Sequence, residues 1–187
     1  MTTPIILLLV LVGLIVVVGF WVMATYNGLV TLRQAVRNAW AQIDVQLKRR
    51  HDLIPNIVNT VKGYAAHEKD TFERVINARA RATSASSPAD VIKAEGELSS
   101  ALARLLAVSE AYPELKANQN FLSLQEELTS TENRVAYARQ FYNDNVTRLN
   151  TQIQTFPTVA IAGMFGFKEE PFFEAPTEEK EAPKVQF

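Results

Sequence analysis

Residues 4–24, PIILLLVLVGLIVVVGFWVMA, form a run of 21 residues without a charged side chain. As a helix rising 1.5 Å per residue the run measures roughly 30 Å, the depth of a bilayer's hydrocarbon core. Trp21 and Tyr26 stand at its downstream end, where amphipathic rings settle at a membrane interface. A cleaved signal peptide would show a shorter apolar run, a basic start and small residues at the cleavage point. Here the run follows Met-Thr-Thr and leads into VMATY, so the reading is a retained anchor over residues 1–25. Arg33 and Arg37 follow the span, with Lys48, Arg49 and Arg50 beyond them. By the positive-inside rule the N-terminus lies outside and the body in the cytoplasm.

Charge and cysteine content narrow the chemistry. Residues 26–167 carry 16 Lys+Arg against 14 Asp+Glu, and residues 168–187 carry 3 against 6. Neither part has the basic field that nucleic-acid binding demands, so no nucleic-acid partner is expected. The absence of cysteine removes disulfides, thiolate metal sites and a cysteine nucleophile.

Beyond Thr25 apolar residues recur at helical spacing and nowhere alternate as in strands. A first helix over about 26–66 carries Leu29, Leu32, Val36, Trp40, Ile43, Leu47, Ile54, Val58, Val61 and Ala65. A shorter second helix carries Phe72, Val75, Ile76, Arg79 and Ala82. SASSP interrupts the chain; Ser87, Pro88 and Asp90 have the spacing of a capping box with proline in the first turn. A third helix carries Val91, Leu98, Leu102, Leu105 and Leu106 and ends near Tyr112-Pro113. The fourth carries Phe121, Leu124, Leu128, Thr131, Val135, Ala138, Tyr142, Val146, Leu149, Ile153 and Phe156, and Pro157 stops it. Steps averaging 3.5 over so many turns predict helices packed as a left-handed bundle. The expected fold is all-α: an N-terminal transmembrane helix continuing into an elongated antiparallel four-helix bundle over 26–157. Residues 158–187 would form a C-terminal aromatic segment and an acidic Pro/Glu-rich tail, EAPTEEKEAPKVQF, disordered on its own.

Helix lengths carry an assembly argument. Successive helices of roughly 60, 25, 35 and 55 Å leave the end of the fourth about 15 Å from the membrane. The membrane-proximal stripe of Leu29, Val36 and Trp40 then lacks enough partners, and such a stripe invites a second copy. TVAIAGMFGF emerges close to the bilayer, where Phe165, Phe167, Phe172 and Phe173 have three places to dock: the bundle, a neighbour or the lipid surface. Asn143, Asn145 and Asn150 make a polar group that serves either as a register device or as a solvated face.

Within the first helix LKRRHDLIPN poses the sharpest local question, because it holds His51 and places Pro55 inside the helix. Pro55 removes the backbone bond to the His51 carbonyl and costs about 3 kcal/mol if nothing compensates. Arg50, His51, Asp52 and Asn56 offer polar support at the resulting kink, with Arg79, Glu132 and Arg139 as facing candidates. The chain has no Glu-x-x-His and no histidine pair at i, i+4, and it lacks a P-loop, a dinucleotide fingerprint and a nucleophile motif. Catalytic, metal and cofactor sites are therefore all expected to be absent. His51 is read as a hydrogen-bonded core residue, with a pH- or ligand-responsive histidine as the competing reading.

These stretches carry a family resemblance. Tyr26-Asn27 with LVTLRQAVRNAWAQIDVQLKRRHDLIPNIVNTVKGYAAHE, then EAYPELKANQNFLSLQEEL, then ENRVAYARQFYNDNV and the closing Phe156-Pro157 resemble the LemA family of bacterial single-span membrane proteins. One departure is Leu149-Asn150, where the family tends to show a second Tyr-Asn. The resemblance implies an anchored helical domain at the bacterial inner (cell) membrane and brings no reaction, substrate or cofactor. The expected role is that of a non-enzymatic membrane scaffold, with the lipid bilayer and further copies of the chain as partners. The alternative is a monomeric adaptor that recruits a protein through FGFKEEPFFEAP.

Overall fold

The computed structural model describes residues 2–173, with side chains from residue 3. The expectation for EAPTEEKEAPKVQF lies outside the described residues. Among the described residues the fold is all-α, with six helices and no strand. They are α1 (Thr2–Lys62), α2 (Lys69–Ser84), α3 (Pro88–Glu110), α4 (Pro113–Lys116), α5 (Gln119–Gln154) and α6 (Thr158–Met164). The four long helices follow the apolar periodicity; α4 and α6 are single short pieces, each starting at or just after a proline, below the length at which periodicity can be read.

The ends have local causes. Ser87 Oγ accepts from the Asp90 N–H at 3.2 Å and donates to its carboxylate at 2.6 Å, with Pro88 in the first turn of α3. At the start of α5, Asn118 Oδ1 accepts from the Phe121 N–H at 3.0 Å, while its amide donates to the Tyr64 hydroxyl at 2.9 Å. One asparagine thus satisfies an orphan donor of one helix and fixes the chain that leaves another. The peptide bond between Phe156 and Pro157 is cis.

The chain forms two compact units. The first takes in residues 2–39 and 142–170; the second takes in 40–141 and 171–173. In the second, α1, α2, α3 and α5 contribute to one core, with Ile54, Ile57, Val61, Phe72, Val75, Leu98, Leu105, Leu115, Phe121 and Leu128 all buried. The pairs Tyr64–Asn118, Arg49–Glu127 and Arg50–Glu132 climb one helix as they descend the other, so α1 and α5 run antiparallel here. Two residues assigned to apolar stripes face outward instead: Ile76 is 54% exposed and Phe156 84%. On α2 the core positions are Phe72, Val75, Ala78 and Ala82; Val75, three residues after Phe72, takes the place that a step of four would give to Ile76.

In the first unit, residues 3–21 of α1 are exposed along their whole length and protein burial starts only beyond them. A helix with 18 residues of mean hydropathy 3.3, none of it covered by the rest of the protein, has the length and composition to cross a membrane. Leu29 and Val36, further along, are buried at 0% and 4% exposure. At these two positions the stripe read as open for a second copy is buried within the chain, while Trp40 is only partly buried. Of the docking places open to the segment after Pro157, Phe165 and Phe167 take one on the chain itself, against Tyr26. Asn150 pins that segment: its amide donates to the Glu170 carbonyl and its Oδ1 accepts from the Glu170 N–H, each at 2.9 Å. Of the two readings of the asparagine group, this favours the structural one for Asn150, and Asn145 is buried as well.

Candidate functional site: the buried charge cluster

The doubled step in the α1 stripe, where Leu47 is followed only by Ile54, places Arg50 and His51 inward. Arg50 is 1% exposed, and a guanidinium stays charged under all ordinary conditions, so it needs acceptors on every side. It finds Glu95 Oε2 at 2.7 Å and Ser99 Oγ at 2.8 Å on α3. Its Nε lies 2.8 Å from Glu132 Oε1 on α5, an ion-pair distance off the N–H axis, so the contact is Coulombic rather than a formed hydrogen bond. His51 Nε2 donates to the other Glu95 oxygen at 2.6 Å. Glu95, fully buried, thus accepts from two side chains of one helix turn, and the cluster ties α1 to α3 and α5.

Glu95 escaped the sequence reading, although a signal was present. It falls between Val91 and Leu98 at steps of four and three, the single charged position on the inward face of α3. The proline also finds a partner. The His51 carbonyl that Pro55 frees accepts from Arg79 Nε of α2 at 2.7 Å. Helix α1 is continuous through Pro55, so the ring is accommodated within the helix. Asp52 and Asn56 are exposed and take no part in holding that carbonyl. Of the facing candidates, Arg79 reaches the carbonyl, Glu132 reaches Arg50, and Arg139 lies over the Phe173 ring at 4.4 Å.

This arrangement yields a test. An arginine donating to an otherwise orphaned carbonyl contributes about 1.5–3 kcal/mol. Arg79→Met therefore lowers unfolding stability by that order in the natural chain. In a Pro55→Ala background, where the backbone N–H returns to the His51 carbonyl, the same substitution costs clearly less. A double-mutant cycle by chemical denaturation measures the difference, and equal costs in both backgrounds would refute the pairing.

Beside the cluster lies a recess of about 320 Å³ lined in part by Asp44, His51, Asp52, Arg79 and Glu95. Partial burial pushes the Asp44 carboxyl above the usual carboxylate range. The histidine–carboxylate pair has the form of a general base, yet the near hydroxyl, Ser99, accepts from Arg50 rather than facing the imidazole. Among the described residues no group of three His, Asp or Glu is placed to hold a metal ion. The geometry suits a structural polar lock.

The other expected interaction residues divide by unit. In the first, Tyr26 receives Phe165 at 4.8 Å and Phe167 at 5.8 Å between ring centroids, and Arg33 covers Phe167 at 4.9 Å. Gly166 sits between the two rings with φ of +70°, a backbone conformation that a side chain would strain. In the second, Trp40 meets Phe173 at 6.1 Å. Phe167 and Phe173 are buried, whereas Phe165 and Phe172 remain half exposed. Tyr142, 2% exposed, has its hydroxyl pushed up to about 12 by burial first and by the charge of Glu170 second. Its folded value exceeds the unfolded one near 10, so its stabilising effect is complete below pH 10. The effect is lost as pH rises from 10 toward 12, where only the unfolded chain ionises. Phenolate absorbance should show a late titration that Tyr142→Phe removes, and the same variant should flatten the fall in stability over that interval.

The LemA family profile matches residues 39–187, a stretch that contains Arg50, His51, Pro55, Arg79, Glu95 and Glu132. The chain is similar to Magnetosome protein MamQ 2 of Paramagnetospirillum magneticum, 24% identical over 175 residues, covering 80% of this chain and 64% of that protein. It is similar to Magnetosome protein MamQ of Magnetospirillum gryphiswaldense, 23% identical over 174 residues, with 79% and 64% covered. It also resembles Protein LemA of Metamycoplasma hominis, 24% identical over 137 residues, with 73% and 63% covered. The chain spans a little under two thirds of the length of these relatives. With the greater part of its length matched, the chain belongs to the LemA family.

Proposed function

We propose that the chain is a non-enzymatic, membrane-anchored helical protein that associates laterally with further copies of itself to form a scaffold. Membrane anchoring rests on the uncovered apolar helix and on the family. Self-association draws its support from one surface. On α1 and α5 of the second unit, Val45 is 64% exposed, Tyr137 74% and Phe141 48%. With Ala41, Gln42 and Ala138 they line a recess of about 570 Å³ whose charged wall residue is Arg134. Large apolar side chains gathered at one recess mark an interaction surface more often than a bland one.

The occupant is a second copy. Anchoring confines all copies to one plane and raises their effective concentration without any new contact. Tyr137 projects beside the recess it helps to line, so a two-fold axis lets each copy insert the ring that the other receives. The interface thus moves from the α1 stripe of Leu29, Val36 and Trp40, where Leu29 and Val36 are already buried, to the outward faces of α1 and α5. An adaptor role through residues 163–177 draws less support, because Phe167 and Phe173 are engaged inside the protein.

The test is the protein mass of the full-length chain, with nanodisc or detergent subtracted, beside Tyr137→Asp. A uniform oligomer that falls to monomer in the variant, with helical circular dichroism unchanged, supports the scaffold. A monomeric natural chain would sink it, and would return residues 163–177 to the front as a recruiting segment.

A further inference from the structure

The residues after Pro157 were expected to dock on the bundle, on a neighbour or on lipid, and the structure divides them. Helix α6 buries Thr158, Ile161 and Ala162. Its outward face is Val159, Ala160, Gly163 and Met164, without a single polar side chain. The flanks continue this face: Phe156 is 84% exposed, Met164 78%, Phe165 50% and Val159 45%. Water is a poor solvent for such a surface, and a seven-residue helix has no other face on which to hide it.

Its position identifies the solvent. Phe165 packs on Tyr26 at 4.8 Å, and both belong to the unit that carries the span. Tyr26 stands two residues past Ala24, about 3 Å further along the helix axis. The headgroup layer on each side of a bilayer core is about 5–7 Å deep. Phe165 is therefore held at the height where lipid begins; Arg33 lies over Phe167 and exposed Lys168 follows it, while the neighbouring Glu169 accepts from Gln154. Rings and aliphatic side chains at the acyl boundary, with cations reaching back to phosphate, are the pattern of an in-plane membrane contact.

We infer that Phe156, Val159, Met164 and Phe165 form a second membrane contact, with α6 lying in the lipid–water interface beside the span. The occupant of this apolar face is the lipid surface itself. The contact is independent of self-association, since it uses a different unit of the protein and needs one chain only. Together with the span it fixes rotation about the span axis, which a single helix leaves free.

The chain has no cysteine, so Phe156→Cys and Met164→Cys each give a unique labelling site at a position too exposed to disturb packing. Each full-length variant carries an environment-sensitive fluorophore in nanodiscs of phosphatidylethanolamine and phosphatidylglycerol. Ser130→Cys, on an exposed face of α5 in the other unit, is the control. The expected result is strong quenching at 156 and 164 by lipid bearing a nitroxide near the top of its acyl chain. Iodide should quench both sites several-fold less than the control. Iodide quenching equal to the control would overturn the proposal. Protection from iodide without lipid quenching would overturn it too, because another protein surface would then cover the face.

Discussion

Glu95→Leu unfolds the helical unit well below the temperature at which the natural chain melts. The carboxylate has no exposure and accepts from Arg50 at 2.7 Å and His51 at 2.6 Å. Removing it leaves a guanidinium that cannot shed its charge, sealed among α1, α3 and α5. Breaking one side of such a buried pair costs about 3–5 kcal/mol. For a unit of this size that corresponds to a drop of roughly 15–20 °C in melting temperature. The informative comparison is Arg50→Met with Glu95→Leu. If the loss comes from a buried charge left with only Ser99 and the part-exposed Glu132, rather than from misfitted volume, the double variant recovers most of the stability. A double variant as unstable as Glu95→Leu alone would assign the loss to packing, and the charge argument would fail. His51→Gln, which keeps a donor toward Glu95, should fall much nearer the natural chain.

Phe167→Ala is expected to have the second-largest effect, confined to one region. The ring is 8% exposed, edge-on to Tyr26 at 5.8 Å and beneath Arg33 at 4.9 Å. Truncating a packed phenylalanine costs about 3–5 kcal/mol. The returning segment is held besides by the buried side of α6 and by the paired bonds between Asn150 and Glu170, all of it local, so the loss should appear as local opening. Hydrogen exchange in nanodiscs should show residues 158–170 losing protection while the buried positions of α2 and α3 keep theirs. Uniform loss across the chain would mean that the segment is a global support, and an unchanged pattern would mean that the ring is dispensable.

The sequence made the helices legible because each buries one stripe and hydrates the other face, so spacing alone locates them. Pro55 was legible for a sharper reason. A proline removes one identifiable bond, the His51 carbonyl becomes a known debtor, and Arg79 was among the side chains named to face it. Glu95 was harder to see. A glutamate between Val91 and Leu98 has inward spacing, but reading it as buried requires knowing that Arg50 of α1 meets it, and pairing across 45 residues leaves no periodic trace. Ile76 and Phe156 show the converse error: both fit a helical step, and neither faces a core. The return of the chain onto Tyr26 and Arg33 involves Gly166 at its turn and Asn150 holding Glu170, two single residues that no average over a helix registers.

The buried arginine also sets a schedule for synthesis. Arg50 leaves the ribosome 45 residues ahead of Glu95, an interval of roughly two to nine seconds at ordinary elongation rates. Throughout that interval the span and the first apolar stripe already exist, and the guanidinium in the middle of the stripe has no buried acceptor. It must stay in water, and it keeps the neighbouring turns of α1 in water with it. A nascent helix marked in this way is a poor partner for other unfinished copies in the same membrane. The charge can be withdrawn from solvent only once α3 has been made and Glu95 is there to receive it.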